Sequence, residues 1–382
     1  MTRRRAAALA ISLPLLLGAA SPLPQPSKAD ADSACTALRV EVDLPAACAG
    51  EISADCVLGE SIAAINAITS CSGRLTAVAF AAGTAASLGH AEATARLDRV
   101  GAALRRRMPQ RLRGFAAFAE TQISALRGDF DAAMRKAAAL SSGLRPQGLT
   151  FTVYVAALNC RPEIADTAID AAFAALAGLE RADRTLRALA WIAWAQMARG
   201  RVAEARRTTE SARRFARGGL SVRYRDSGLA ALAESLSWTL QPDFASAVLE
   251  LLPQGDRRRA AAAATIPYGL VDFGRFDQAR GTLKAARADI AAVRDPMQRG
   301  IAQAMFTVAV AHLDGWHEGL AFARAIARPT SRARALQRLA IQLGLGNAAQ
   351  QRRACRYSVS PVPAEKWRRR PPGGRPGQRP GR

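Results

Sequence analysis

Lysine is almost missing from this 382-residue chain. Only Lys28, Lys136, Lys284 and Lys366 occur, although Lys and Arg together number 54. Histidine is limited to His90, His312 and His317, and aromatic residues make up 5%. No H-E-x-x-H pair, C-x-x-C pair, P-loop, G-x-S-x-G elbow or G-x-G-x-x-G turn is present, so the common signatures of metalloproteases, zinc modules, nucleotide-binding loops and serine hydrolases are absent. No apolar run after the first twenty residues is long enough to span a bilayer, which takes about 20 residues.

The charge excess needs the same scrutiny. Of the formal +23, residues 1–31 carry +3 and residues 347–382 carry +9, leaving +11 for residues 32–346. That remainder fits arginine-rich solvated helix faces. Combined with an exported location, it makes nucleic acid an unlikely target and leaves nonspecific attraction to anionic lipid, glycan or acidic protein.

The chain opens MTRRRAAALAISLPLLLGAA. Arg3, Arg4 and Arg5 precede a short apolar stretch from Ala6 to Leu17, and small residues follow at Gly18-Ala19-Ala20 and Ala29-Asp30-Ala31. This is the layout of a secretory signal peptide over residues 1–20 or 1–31, and it predicts a periplasmic or secreted mature protein. Export permits disulfides, and four cysteines cluster just downstream at Cys35, Cys48, Cys56 and Cys71. A helix predicted over 55–71 would hold Cys56 and Cys71 about 22 Å apart, far beyond the roughly 7 Å a disulfide allows. Two pairings remain: Cys35–Cys56 with Cys48–Cys71, or Cys35–Cys71 with Cys48–Cys56. Either one staples an N-terminal cap over residues 32–71. Cys160 and Cys355 have no evident partners.

What is abundant is alanine, leucine and arginine, which favours helix throughout. Turn signals recur at Gly89, Gly128, Pro162, Gly200, Pro242, Gly274, Gly315 and Gly346, at intervals of roughly 31 to 42 residues. The hexapeptides GDFDAA (128–133), GRVAEA (200–205) and GRFDQA (274–279) read as elbows between two antiparallel helices. The glycine ends the first helix in a left-handed conformation, and the last alanine (Ala133, Ala205, Ala279) lets the second helix approach the first. Seven hairpins are predicted over residues 72–346, with a last helix from about 330 to 344. Pro267, inside a predicted first helix, is expected to kink it.

These elbows, with first helices such as LRALAWIAWAQMA (186–198), resemble tetratricopeptide (TPR) repeats. The resemblance spans residues 55–346. It departs from the family in lacking most of the tryptophan, leucine-glycine and tyrosine positions of the first helix, and in a longer, less regular period. It implies an all-α fold: a right-handed α-solenoid of about seven antiparallel hairpins, with a disulfide-bearing cap and a disordered basic tail over 347–382. It also implies a non-catalytic scaffold without a cofactor, whose first helices line a groove for an envelope protein or peptide. Counting back six residues from the turn glycine places Trp194 and Tyr268 at one groove position. Arg187 and His312 fall in neighbouring rows, while Trp191 is expected in the core. Trp194 and Tyr268 can equally pack between repeats. The other readings are an electrostatic binder of anionic envelope polymer or lipid surface and, more distantly, a peptidoglycan-active enzyme. The latter reading rests on Glu60-Ser61, a Glu-Ser pair like that of lytic transglycosylases, but without their downstream motifs.

Overall fold

The computed structural model describes residues 32–346, apart from 34, 46, 108–112, 180, 218–219 and 222–223, together with Cys355. The predicted signal peptide and, Cys355 excepted, the predicted disordered tail lie outside the described residues. Among the described residues there are sixteen α-helices and no strand. They are α1 (Ala54–Asn66), α2 (Cys71–Ser87), α3 (Ala91–Arg107), α4 (Arg113–Leu126), α5 (Phe130–Ala139), α6 (Arg145–Leu158), α7 (Pro162–Ala175) and α8 (Ala182–Ala198). The second half holds α9 (Val202–Arg217), α10 (Arg225–Trp238), α11 (Pro242–Leu249), α12 (Arg257–Asp272), α13 (Phe276–Ala291), α14 (Pro296–Leu313), α15 (Trp316–Arg324) and α16 (Pro329–Leu345).

Six of the turns are built alike. Gly89, Gly128, Cys160, Gly200, Leu240 and Gly274 have φ between 56° and 86°. At each, the next residue's N–H reaches back five residues: His90 to Ala85, Asp129 to Ser124, Arg161 to Ala156, Arg201 to Gln196, Gln241 to Leu236 and Arg275 to Leu270. This hydrogen bond satisfies a carbonyl that the helix end would otherwise leave bare. The prolines therefore do not occupy the turn position. Pro162 and Pro242 open α7 and α11 two residues later, where a missing N–H costs little. The fifth residue after each of the last five turn positions is an alanine (Ala133, Ala165, Ala205, Ala245, Ala279), and all five are fully buried. Helix α12 continues through Pro267.

Each even-numbered helix from α2 to α14 packs against its odd-numbered successor and against the next even-numbered helix. Helix α16 has no successor among the described residues. It packs against α1 and α2, so the run of contacts returns to its start. Repeats that touch only their neighbours carry no such contact between the two ends. The junction is specific. The Gln337 side-chain amide donates to the Ala77 carbonyl (2.9 Å), Ser61 Oγ donates to the Ala333 carbonyl (3.4 Å), and Arg324 Nε donates to Glu60 (2.8 Å). One apolar cluster joins Leu58, Ile65 and Leu75 to Leu336 and Leu339, each of which contributes roughly 1.5–3 kcal/mol when buried.

The N-terminal segment also differs from expectation. The helix predicted over 55–71 stops at Asn66, and Cys71 begins α2. The fully buried Arg74 holds the cap in place, donating to the carbonyls of Thr36, Leu38 and Ile68 and to Asn66 Oδ1. Asn66 in turn brackets the Val40 backbone. Of the two pairings left open, Cys35–Cys71 and Cys48–Cys56 form, with Cα separations of 5.4 and 5.1 Å. A third disulfide corrects the reading of the remaining cysteines. Cys160, at the α6–α7 turn, bonds Cys355, 195 residues away, and draws that part of the C-terminal segment onto the end of α6.

Candidate functional site

The shared turn geometry puts equivalent positions of the even-numbered helices at equal depth. Six residues before the left-handed residue stand Tyr154 on α6, Trp194 on α8, Glu234 on α10 and Tyr268 on α12. Tyr154 stacks on Trp194 with ring centroids 4.2 Å apart, and Trp194 lies 5.6 Å from Trp238. Trp238 meets Tyr268 edge-on at 5.5 Å. Four helices thus contribute to one circuit of successive aromatic contacts. Aromatic pairs at these separations contribute about 0.5–1.5 kcal/mol each beyond their burial.

Trp194 and Tyr268, expected at one groove position, each meet Trp238. They fill the space between helices: Tyr268 is buried in the main apolar cluster and Trp194 packs half-buried against it. The Trp194 indole N–H is buried and finds no acceptor. Burial, followed by the charge of Asp272, pushes both phenols well above their ordinary pKa, so both stay neutral at physiological pH.

Around the circuit lie charged groups. Arg187 stands 3.8 Å from Glu234, the carboxylate at the equivalent position of α10. The Arg338 guanidinium from α16 sits 5.6 Å above the Tyr268 ring. His312 is placed apart from the four aromatics. It lies between Phe276 and Trp316, and its Nε2 is 3.2 Å from Gln342 Oε1, while the other end of that amide reaches Asp272 (3.5 Å). Because the Gln342 amide nitrogen faces Asp272, His312 Nε2 is the donor in this chain. Burial lowers the His312 pKa, against a smaller opposing effect of the Gln342 hydrogen bond. Trp191 is half-buried rather than a core residue.

The sequence reading missed Tyr154, Glu234, Trp238, Asp272 and Arg338. A signal existed for the first two. Had Cys160 and Leu240 been taken as the turn residues in place of Pro162 and Pro242, the same six-residue count would have reached them. Arg338 and Asp272 carry no such mark, since they meet this site only through the contacts of α16 and the end of α12.

Glu60 is held as an ion pair. Arg324 clamps it with two nitrogens, and the Cys48 N–H donates to it at 3.0 Å. Burial works to raise its pKa, but the Arg324 hydrogen bonds, the Cys48 amide and the Arg324 charge together leave it lowered. A general acid needs the opposite shift. Its neighbour Ser61 is buried and donates to Ala333. Among the described residues, no group of three His, Cys, Asp or Glu side chains is placed to hold a metal ion.

Comparison of the chain with protein-family models, with curated proteins and with solved structures finds no match.

Proposed function

We propose that this protein is an exported, non-catalytic helical scaffold. In this reading its TPR-like hairpins form an α-solenoid curled into a closed ring, with the even-numbered helices inside. The interior presents arginines and aromatics to a protein or peptide of the cell envelope. The observation that carries the reading is the convergence of Tyr154, Trp194, Glu234 and Tyr268 from four successive inner helices, with half-buried Trp191 and Arg187 one and two turns nearer the start of α8. Equivalent positions on repeated units give one continuous surface, and aromatics and arginine are the residues that anchor interfaces. Three disulfides fit an oxidising compartment, and no described helix is long and apolar enough to cross a membrane.

The test is affinity capture from envelope extract with the full chain as bait, at low and at high salt, beside a variant carrying Arg187→Ala and Trp191→Ala. A discrete partner retained at high salt and lost with the variant supports the scaffold. Identical capture by the variant sinks it.

A second reading has its own observation. Helix α9 carries Arg206, Arg207, Arg213, Arg214 and Arg217. Arg206 and Arg207 line a groove of about 380 Å³ with Glu210 and Gln241. Such a face suits anionic polymer or lipid headgroups. Binding of anionic vesicles that vanishes with rising salt, and with Arg206→Gln and Arg207→Gln, would favour it.

A further inference from the structure

Helix α16 is enclosed by α14, α15, α1 and α2. Its remaining side carries Arg334, Arg338 and Ile341, spaced four and three residues apart, all half-buried, while most of its other residues are buried. In the ring reading of the preceding section, on which this inference rests, that side faces the interior. Two guanidiniums one turn apart therefore enter the same space as the aromatic circuit, with Arg338 already over Tyr268.

Elsewhere in the molecule the half-buried arginines near carboxylates take them up. Arg199 and Arg201 share Asp166, and Arg259 holds Asp289. Arg334 and Arg338 pair with no carboxylate among the described residues, and Arg334 Nε is buried without an acceptor. A second buried donor without an acceptor, the Trp194 indole N–H, lies in the circuit that Arg338 covers. Native proteins rarely leave desolvated cations and N–H groups in this state, because water is lost and nothing replaces it. Burial and the neighbouring Arg338 charge lower the Arg334 pKa, as two like charges deprived of a counterion should. An arrangement of this kind is expected where a ligand supplies the missing charge.

We propose that Arg334 and Arg338 are the oxyanion-binding end of a small-molecule site inside the ring, taking an aromatic compound with a carboxylate or phosphate group. The planar guanidinium forks match either oxyanion. The body of the ligand packs toward the exposed part of half-buried Trp194, at the edge of the aromatic cluster. Arg187, whose charge is shared with Glu234, stands at the approach.

The experiment titrates the purified, disulfide-intact full chain with phenylacetate, phenyl phosphate, inorganic phosphate and, as a cationic control, benzylamine, reading tryptophan fluorescence and thermal midpoint. The expected result is saturable binding of at least one aromatic anion at millimolar concentration or below, with a raised midpoint and no response to benzylamine. The two aromatic probes decide between carboxylate and phosphate, and a response to inorganic phosphate alone would overturn the aromatic part of the assignment. Arg338→Gln should weaken binding by about tenfold or more, the loss expected for one charge-assisted contact. Arg334→Met should abolish binding while leaving the ligand-free midpoint unchanged or higher, since it removes an uncompensated cation. A lower ligand-free midpoint in Arg334→Met would mark a structural arginine and overturn the proposal. So would no response to any aromatic anion, or an unchanged affinity in Arg338→Gln. These failures leave the scaffold reading standing, because that one depends on capture by Arg187 and Trp191.

Discussion

Removing the Cys160–Cys355 disulfide should be the most damaging single covalent change to this protein. The bond closes a loop of 195 residues. Chain-entropy scaling for a loop of that size gives about 5 kcal/mol of stabilisation, by restricting the unfolded state. Cys355→Ser should therefore lower the unfolding free energy by as much as about 5 kcal/mol. Cys160 is also one of two non-glycine residues with positive φ among the described residues, at 56°. A side chain there costs about 1 kcal/mol relative to glycine. Cys160→Gly loses the same cross-link but relieves that strain, so it should be about 1 kcal/mol more stable than Cys160→Ser. The double variant Cys160→Ser with Cys355→Ser should be no worse than either single one, because each already removes the whole interaction. Equilibrium urea unfolding under non-reducing conditions measures all four proteins, and the wild type should also show the smaller m-value of a cross-linked denatured state. If Cys355→Ser unfolds at the wild-type midpoint with the wild-type m-value, the bond does not constrain the chain and the reasoning is refuted.

Gly200 has φ 86° and nothing within 4 Å of where a Cβ would sit, so Gly200→Ala should cost about 1 kcal/mol through the backbone alone; no loss in urea melts would contradict the turn assignment. His312 is pushed below its unfolded value of 6.5, so the unfolded chain takes up its proton first as pH falls. The stability it contributes is fully present above the unfolded pKa and is lost as pH falls through 6.5 toward the lowered folded value. His312→Gln should flatten that part of the stability–pH curve measured between pH 8 and 5, and an unchanged slope would assign the effect to other groups. Glu60→Gln should cost about 1 kcal/mol and loosen the junction of α1 with α16, seen as faster amide exchange in those two helices; exchange that rises equally everywhere would argue against a local role.

The turns between helices are legible in the sequence because their causes are local. A left-handed residue, a backbone bond five residues back and a small residue five residues on together define each elbow, and all of them fall inside one hexapeptide and the helix end before it. Thus the turns at Gly89, Gly128, Gly200 and Gly274 occur where the pattern places them. Where the pattern was read through proline, at Pro162 and Pro242, it erred by two residues. Cys160 and Leu240 hold the left-handed position without being glycine, and that side-chain-independent geometry leaves no compositional mark. The candidate site followed the same division. Trp194 and Tyr268 were found by register, but Trp238, Asp272 and Arg338 were not, since neither repeat position nor residue type sets them apart.

The sequence by itself determined the helical class, the positions of the glycine turns and the buried alanine slot. Tertiary structure decided which cysteines pair, how the aromatic positions fill the space between helices, and that α16 returns to α1 and α2. The physical reason is range. How one helix packs on another is fixed by side chains across their interface rather than by any short motif. The contacts of Gln337 with Ala77 and of Glu60 with Arg324 join residues about 260 positions apart, which no local pattern encodes.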